Sequence, residues 1–321
     1  MSDLLILINS ISEAPSEDEL DVLVQADAIE QAIKKIGHKP RRASFGLNLE
    51  PVAGILINHP PDLVFNLVES VGGKGSLIHL CPSLLDAFGV PFTGSGTHAL
   101  MVTTDKTVTK QILEDHGIPT PGWLLPGIGV IPPKDKKYIL KPIREDGSAG
   151  ISDDSVMQGK DLDLISLSKK GLLKEAFLEE FIEGREFNIS LLAGSSGPVV
   201  MPAAEMLYVD YPEGKPKILN YASKWDESSF EYHKTVRTFD LSPADESLVD
   251  QMSEISLRCW KIFNMKGYIR VDFRVDAQNR PLVLEVNANP CLSPDAGFVA
   301  ACKQGGVDYT EMIKRIITAA L

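Results

Sequence analysis

Between Gly267 and Asn287 the chain alternates charged and apolar positions twice over. Arg270, Asp272, Arg274 and Asp276 interleave with Val271, Phe273 and Val275, and after a polar stretch at 277–280 the alternation resumes through Leu282, Leu284, Glu285, Val286 and Asn287. A period of two marks a half-buried strand, so the pattern predicts a two-stranded hairpin. With its turn centred between Gln278 and Asn279, Arg274 faces Val283, Asp272 faces Glu285 and Arg270 faces Asn287. These pairs share one face, with Cβ atoms about 5 Å apart. Val271, Phe273, Val275, Leu284 and Val286 fall on the other face, the predicted core side.

Elsewhere the patterning predicts an alternation of strands and helices. Residues 4–8 are an apolar run of strand length, and Ser16-x-x-Glu19 is a capping box opening a helix. That helix carries Leu20, Leu23, Val24, Ile29, Ile33 and Ile36 and stops at Gly37. Residues 62–68 form a second strand, 77–88 a helix closed by Gly89, and 90–93 a short strand. Such alternation argues a parallel-sheet α/β domain. No G-x-G-x-x-G follows the first strand, so nothing points to a dinucleotide. Residues 105–116 are helical up to Gly117, and the Pro- and Gly-rich run 119–133 connects substructures. Strands are expected at 137–140, 176–182, 187–192 and 199–207, and helices at 243–263 and 308–320.

Composition narrows the class. The 321 residues are 44% apolar and 24% charged, ordinary for a globular protein with sizeable cores. A net charge of −12 argues against nucleic acid or an anionic membrane as main partner, since both demand a basic surface. The opening apolar run is too short to span a bilayer and lacks a basic leader, so the expected location is the cytoplasm. Four cysteines, Cys81, Cys259, Cys291 and Cys302, show no C-x-x-C spacing, and the six histidines form no H-x-x-x-H pair. There is no G-x-S-x-G elbow, and the glycine-rich run 72–76 lacks the Gly-Lys-Ser/Thr succession of a Walker loop.

Candidate chemistry gathers in the second half. Two facing carboxylates, Asp272 and Glu285, do not both ionise without a cation between them. Asp, Glu and Asn oxygens suit Mg²⁺ shared with substrate phosphates. The competing reading is the solvated face of an antiparallel sheet, but the irregular Ala-Asn-Pro-Cys segment at 288–291 is not what an ordinary strand end needs. Lys141 is followed by a small-residue loop through Gly147, Ser148, Ala149 and Gly150, whose backbone can approach phosphates; an ordinary turn is the alternative. Residues 179–186, Glu-Glu-Phe-Ile-Glu-Gly-Arg-Glu, can offer a hinge to a base and a carboxylate to a ribose, or be a solvated acidic loop. Lys106 and Lys110 stand at i,i+4, the usual spacing of a solvated basic strip. Lys224 sits among aromatic and small residues, an unusual setting for a solvated lysine. Cys291 has no nearby His and does not read as a nucleophile.

In order, these segments resemble the ATP-grasp superfamily and, within it, the D-alanine–D-alanine ligase family. The anchors are Phe65-Asn66, Pro91-Phe-Thr-Gly-Ser-Gly96, Asp105-Lys106, Leu140-Lys-Pro142 with its glycine loop, Glu183-Gly-Arg-Glu-Phe187 and the hairpin. The resemblance implies an α/β fold of the α+β ATP-grasp type, in which an N-terminal parallel-sheet domain (1–98) precedes a two-lobed ATP-grasp fold (99–185 and 186–321). It implies that Lys106, Lys141 and Lys224 contact ATP phosphates under the loop of Gly147, Ser148, Ala149 and Gly150. Glu179 would meet the adenine amino group, backbone of Glu180 and Ile182 would complete the hinge, and Glu186 would hold the ribose. Asp272, Glu285 and Asn287 would bind two Mg²⁺ ions. Arg270 would stabilise the reacting centre, with the Cys291 backbone N–H as an oxyanion donor. The partners implied are a small carboxylate and an amine, and a second copy of the chain as a homodimer.

The amino-acid side departs from the family. Its N-terminal Gly-Gly-x-Ser-x-Glu pattern is replaced by Asn-Ser-Ile-Ser-Glu-Ala-Pro at 9–15, its loop Ser by Gly147 and its Tyr by Trp225. Glu69 stands where a His usually follows Phe-Asn, and the Ser-containing run after the metal ligands becomes Cys-Leu-Ser-Pro-Asp-Ala-Gly at 291–297. Glu69, Trp225, Ser293 and Asp295 are therefore candidate substrate residues. Three readings stand: a carboxylate–amine ligase with substrates other than two D-alanines, a true D-alanine–D-alanine ligase, and a nucleotide-binding protein without catalysis.

Overall fold

A computed structural model describes residues 2–126, 132–145 and 147–321; the run expected to connect substructures, 119–133, lies partly outside them. The first apolar run becomes β1 (Asp3–Asn9), the centre of a parallel sheet between β2 (Lys39–Phe45) and β3 (Leu63–Leu67). Its continuous hydrophobicity follows from burial on both faces, as parallel sheets require. Leu4, Ile6 and Ile8 pack on α1 (Glu17–Lys35), whereas Leu5 and Leu7 face α2 (Glu50–Asn58) and α3 (Leu80–Phe88). On α1 the buried stripe is Val22, Ala26, Ile29 and Ile33, while Leu20 and Val24, expected inside, are exposed. The stretch 90–93 forms only an isolated bridge, Phe92 to Val64, rather than a strand.

The next helices are α4 (Thr97–Thr104) and α5 (Lys106–Asp115). They lead into an antiparallel sheet ordered β4 (Trp123–Leu124), β7 (Ala176–Glu180), β5 (Lys137–Pro142), β6 (Val156–Gln158), with α6 (Leu164–Lys169) between β6 and β7 in the chain. A third sheet runs β11 (Thr235–Thr238), β10 (Ala204–Tyr208), β8 (Arg185–Gly194), β12 (Tyr268–Val275), β13 (Pro281–Asn287), with β9 (Gly197–Val200) pairing β8. The single strand expected over 199–207 is thus two strands, β9 and β10. One face of this sheet buries Phe187, Ile189, Val271, Phe273 and Val275 beneath α9 (Glu246–Ile262), leaving the polar face for the site. The short helices α7 (Tyr221–Trp225) and α8 (Phe230–Lys234) separate β10 from β11. The last two helices, α10 (Gly297–Gln304) and α11 (Tyr309–Thr318), return to the first sheet and share its core through Phe298, Ile313 and Ile316. That return presses the loop after β13 against α1.

The hairpin forms with one correction. Asp272 pairs with Glu285 and Arg270 with Asn287 as expected, but Arg274 faces Leu282 because the register slips between Asp272 and Phe273. Such a bulge exchanges the faces of the residues beyond it. Val283, not Leu284, enters the core, and Leu284 turns into the cleft. The free edge of β13 is taken by the extended Pro119–Thr120 segment: Val283 N–H donates to Pro119 O (2.8 Å), and Thr120 Oγ1 donates to Val283 O (2.7 Å). Gly184 enters β8 at φ +155°, and a Cβ there would lie 1.9 Å from Val275 O, so the crossing against the hairpin end admits only glycine.

Candidate active site

The polar face of the third sheet and the strand ends of the second enclose a pocket lined by Ile139, Lys141, Glu179, Ile182, Glu186 and Leu284. It adjoins a larger cleft of 480 Å³ reaching Lys106, Lys224, Arg270, Glu285 and Asn287. The alternation of β12 and β13 places the charged side chains of the hairpin on this face.

At the inner end, the buried Glu179 lies between two ammonium groups, Lys110 Nζ and Lys141 Nζ, each 2.5 Å from one of its oxygens. Burial works to raise the pKa of Glu179, and the two lysine charges outweigh it, holding the carboxyl below its ordinary value. Burial is also the largest influence on Lys110, which it lowers, with Glu179 opposing and Lys141 adding to the fall. Lys110 is therefore not part of a solvated strip: it is fully buried, and it also donates to Thr120 Oγ1 at 2.7 Å. Its i,i+4 partner Lys106 is buried too, donating to Glu145 O at 2.6 Å. The hinge is partly committed, since Glu180 N–H donates to Gly122 O (2.7 Å) and the Glu180 carboxylate pairs with Lys136 (2.6 Å). Glu186 accepts from Tyr208 Oη at 2.5 Å and faces Arg274 at 3.3 Å.

The glycine loop and the segment after β10 close on each other. Ser148 Oγ donates to Leu219 O (2.6 Å), Trp225 Nε1 to Gly147 O (3.1 Å), and Tyr221 N–H to Ile151 O (3.2 Å). Gly147, Ser148 and Gly150 all have positive φ. Leu219, Lys224 and Trp225 thereby line the cleft.

On the hairpin, Arg270 grips Asp272 with Nε at 2.7 Å and Nη2 at 2.8 Å, and Asn188 Nδ2 donates to the same carboxylate at 2.7 Å. Burial tends to lower Arg270, but Asp272 overcomes it and keeps the guanidinium charged. Lys224 is lowered by burial and by the Arg270 charge, with Glu285 and Asp272 opposing. Asn287 Oδ1 accepts Asn289 N–H at 2.9 Å. Among the described residues no three His, Cys, Asp or Glu side chains cluster as a metal site. The Asp272, Glu285 and Asn287 set is two carboxylates and an amide, all oxygen donors, and its hard chemistry fits Mg²⁺.

The outer end holds residues that sequence reasoning missed. Asp21 accepts from Ser293 Oγ (2.6 Å) and Cys291 Sγ (3.0 Å), and Gln25 Nε2 reaches both Asp21 (3.2 Å) and Glu69 (2.8 Å). Leu292 N–H donates to Gln25 Oε1 at 2.8 Å. The only signal was the i,i+4 spacing of Asp21 and Gln25 on a helix. Burial, Glu69 and Asp21 push the Cys291 thiol well up, which removes it as a thiolate nucleophile. All four cysteines are free thiols.

Asp105 couples local structure to this site. It caps α5, accepting from Thr107 and Val108 N–H at 3.1 Å, and pairs with Arg144 at 2.7 Å at the start of the glycine loop. Burial would raise it, but Thr107, Val108 and Arg144 outweigh that and lower its pKa. A depressed carboxyl contributes stability that is present above its unfolded pKa and lost as pH falls through the native one. Asp105→Ala is expected to cost about 1 kcal/mol, the usual value of a cap. In urea melts the difference from wild type should be full at neutral pH and shrink through the acid carboxylate range. A constant difference across pH would contradict the assignment.

The fold and site define an ATP-grasp ligase, an enzyme that forms carbon–nitrogen bonds, and three comparisons agree. Residues 137–318 match the model of the D-ala D-ala ligase C-terminus. The D-alanine–D-alanine ligase of Aquifex aeolicus is 30% identical over 94% of this chain and 96% of its own length, and that of Sphingopyxis alaskensis is 28% identical over 93% and 92%. The fold is that of the Bacillus anthracis D-alanine–D-alanine ligase solved with ATP, at a TM-score of 0.74, 19% identity and coverage of 100% of this chain and 97% of that one. The chain belongs to the D-alanine–D-alanine ligase family. Among the described residues no helix is long and apolar enough to cross a membrane.

Proposed function

We propose that this ligase is ADP-forming, activates a carboxylate as an acyl phosphate, joins it to an amine, and uses substrates other than two D-alanines. The carrying observation is the contrast between the two ends of the cleft. The nucleotide end gathers Lys106, Lys141, Lys224, Arg270, Asp272 and Glu285, whereas the outer end is built from Asp21, Gln25, Glu69 and Ser293.

In this reading Lys141, Lys106, Lys224 and the backbone of Gly147, Ser148, Ala149 and Gly150 bind the triphosphate. Glu179 meets the adenine amino group, backbone of Glu180 and Ile182 completes the hinge, and Glu186 holds the ribose. Asp272, Glu285 and Asn287 would hold Mg²⁺, two ions in the family pattern, which neutralises phosphate charge when bound. A carboxylate oxygen attacks the γ-phosphorus and ADP leaves; the amine then attacks the acyl carbon and phosphate leaves. Arg270 and the Cys291 N–H face the oxyanion that develops at that carbon, where preorganised donors count most. Glu69, Trp225, Ser293 and Asp295 contact the substrates. Domains at 1–98, 99–185 and 186–321, a homodimer and a cytoplasmic location complete the proposal.

The names of the relatives favour a second reading, a true D-alanine–D-alanine ligase. Phosphate release from Mg-ATP across L- and D-amino acids, singly and in pairs, separates them. Release should depend on an acid or amine other than D-alanine, with the ligated mass in the product. Release with D-alanine alone would establish the second reading. Silence across the panel would favour a nucleotide-binding protein without catalysis.

A further inference from the structure

Glu179 carries two counter-ions, and they differ in their access to the cavity. Lys141 lines both the pocket of Glu179 and Glu186 and the larger cleft, with its side chain 13% exposed. Lys110 lines neither, and its side chain is 1% exposed. The two grip opposite oxygens of the carboxylate, Lys141 on Oε1 and Lys110 on Oε2. A ligand in the cavity therefore meets Lys141 and Glu179, while Lys110 stays behind them.

Their origins in the fold explain the difference. On β5 and β7, Lys141 pairs with Phe177 and Ile139 with Glu179, so Lys141 and Glu179 are diagonal neighbours on one sheet face. The flexible Lys141 stem can swing along that face toward the cleft. Lys110 comes from α5 and is tethered at its tip: Nζ also donates to Thr120 Oγ1 (2.7 Å), which donates to Val283 O (2.7 Å). Glu114, one turn further along α5, adds a weaker attraction on Lys110, and its own carboxylate accepts from Trp123 Nε1 at 3.0 Å.

Lys141 stands at the base of the glycine loop, and in the reading above it binds the triphosphate. An ammonium that moves to a phosphate withdraws from Glu179, and a buried carboxylate left without a cation is costly. Burial acts to raise the pKa of Glu179, and both lysine charges oppose it. With Lys110 in place, the carboxylate keeps one cation when Lys141 leaves.

We propose that Lys110 is a positioning residue for nucleotide binding: it keeps Glu179 paired and so releases Lys141 from that carboxylate to the triphosphate. The inference rests on the nucleotide reading of the cleft, and its test reads binding rather than turnover. Adenosine and a non-hydrolysable ATP analogue with Mg²⁺ are titrated by calorimetry onto wild type, Lys110→Met, Glu179→Gln and Lys110→Met/Glu179→Gln. The readout is the ratio of the two affinities, which isolates the triphosphate. Lys110→Met should lower that ratio on the order of 10–100-fold, because Glu179 then detains Lys141 as its last cation. Its adenosine affinity should stay within about two-fold of wild type, which also confirms folding. Lys110→Gln, which retains a donor but no charge, repeats the test with less damage to the fold and should show the same loss. On the Glu179→Gln background no carboxylate detains Lys141, so adding Lys110→Met should shift the ratio by less than about two-fold. Equal losses for adenosine and the analogue would reveal a merely structural lysine and overturn the proposal. So would an unchanged ratio in the single variants, or a fall that persists on the Glu179→Gln background. Failure of wild type to bind the analogue would overturn the nucleotide reading and this inference with it.

Discussion

Glu285→Gln is expected to lower ATP-dependent phosphate release about 10²–10³-fold while the protein stays folded. The substitution keeps shape and removes one charge from a face where Asp272 stands directly opposite. Lys224 and Arg270 both experience the Glu285 charge, so its removal also weakens the balance that holds those cations in a buried site. Asp272 shares its carboxylate with Arg270 and Asn188, so it compensates only in part for the lost charge. If Glu285 holds Mg²⁺, the concentration of Mg²⁺ needed for half-maximal rate rises with the fall in rate. Both are read by phosphate release in a magnesium titration, with circular dichroism to confirm folding. A rate within a few-fold of wild type would remove Glu285 from the proposed metal set.

Lys110→Met is expected to destabilise the protein by about 3–5 kcal/mol, the cost of leaving a buried charge short of its partner. Glu179 would keep only Lys141 as a counter-ion, and Thr120 would lose its donor beside the edge of β13. The pH dependence gives a second readout. The depressed pKa of Glu179 means that its contribution is present above the unfolded carboxylate pKa and lost as pH falls through the native one. Losing Lys110 raises that native pKa, so acid unfolding of the variant should begin at higher pH. Urea melts from pH 3 to 7 on wild type, Lys110→Met and Lys110→Met/Glu179→Gln measure both effects. The double variant should recover part of the loss, because an amide is far cheaper to bury than an unpaired carboxylate. Equal stability of Lys110→Met and wild type would show that the triad carries no net stabilisation.

Much of the site was legible because period-two alternation is a local property. Asp272, Glu285, Arg270 and Asn287 share a face whichever sheet receives the hairpin, and their pairing follows from the turn. Leu284 was misassigned because a bulge depends on what pairs the outer edge of β13, and that partner, Pro119–Thr120, lies far away in sequence. Lys110 looked solvated because i,i+4 spacing reports which helix face a residue occupies, not what covers that face. Asp21 and Gln25 were invisible for a related reason. They matter only because α10 and α11 bring the loop after β13 back onto α1.

By itself the sequence determined the main strands and helices, among them β1, α1, β3, β5, β8 and α9, together with the polar face of the hairpin, the glycine loop and the motifs that mark an ATP-grasp ligase. These depend on residue spacing along one or two adjacent strands, where backbone geometry leaves little choice. Only the tertiary structure decided which charges are buried together. Lys110, Glu179 and Lys141 form one unit, and Asp21 and Glu69 share Gln25. Desolvation and pairing are set by distances between segments remote in the chain, and no local pattern encodes them.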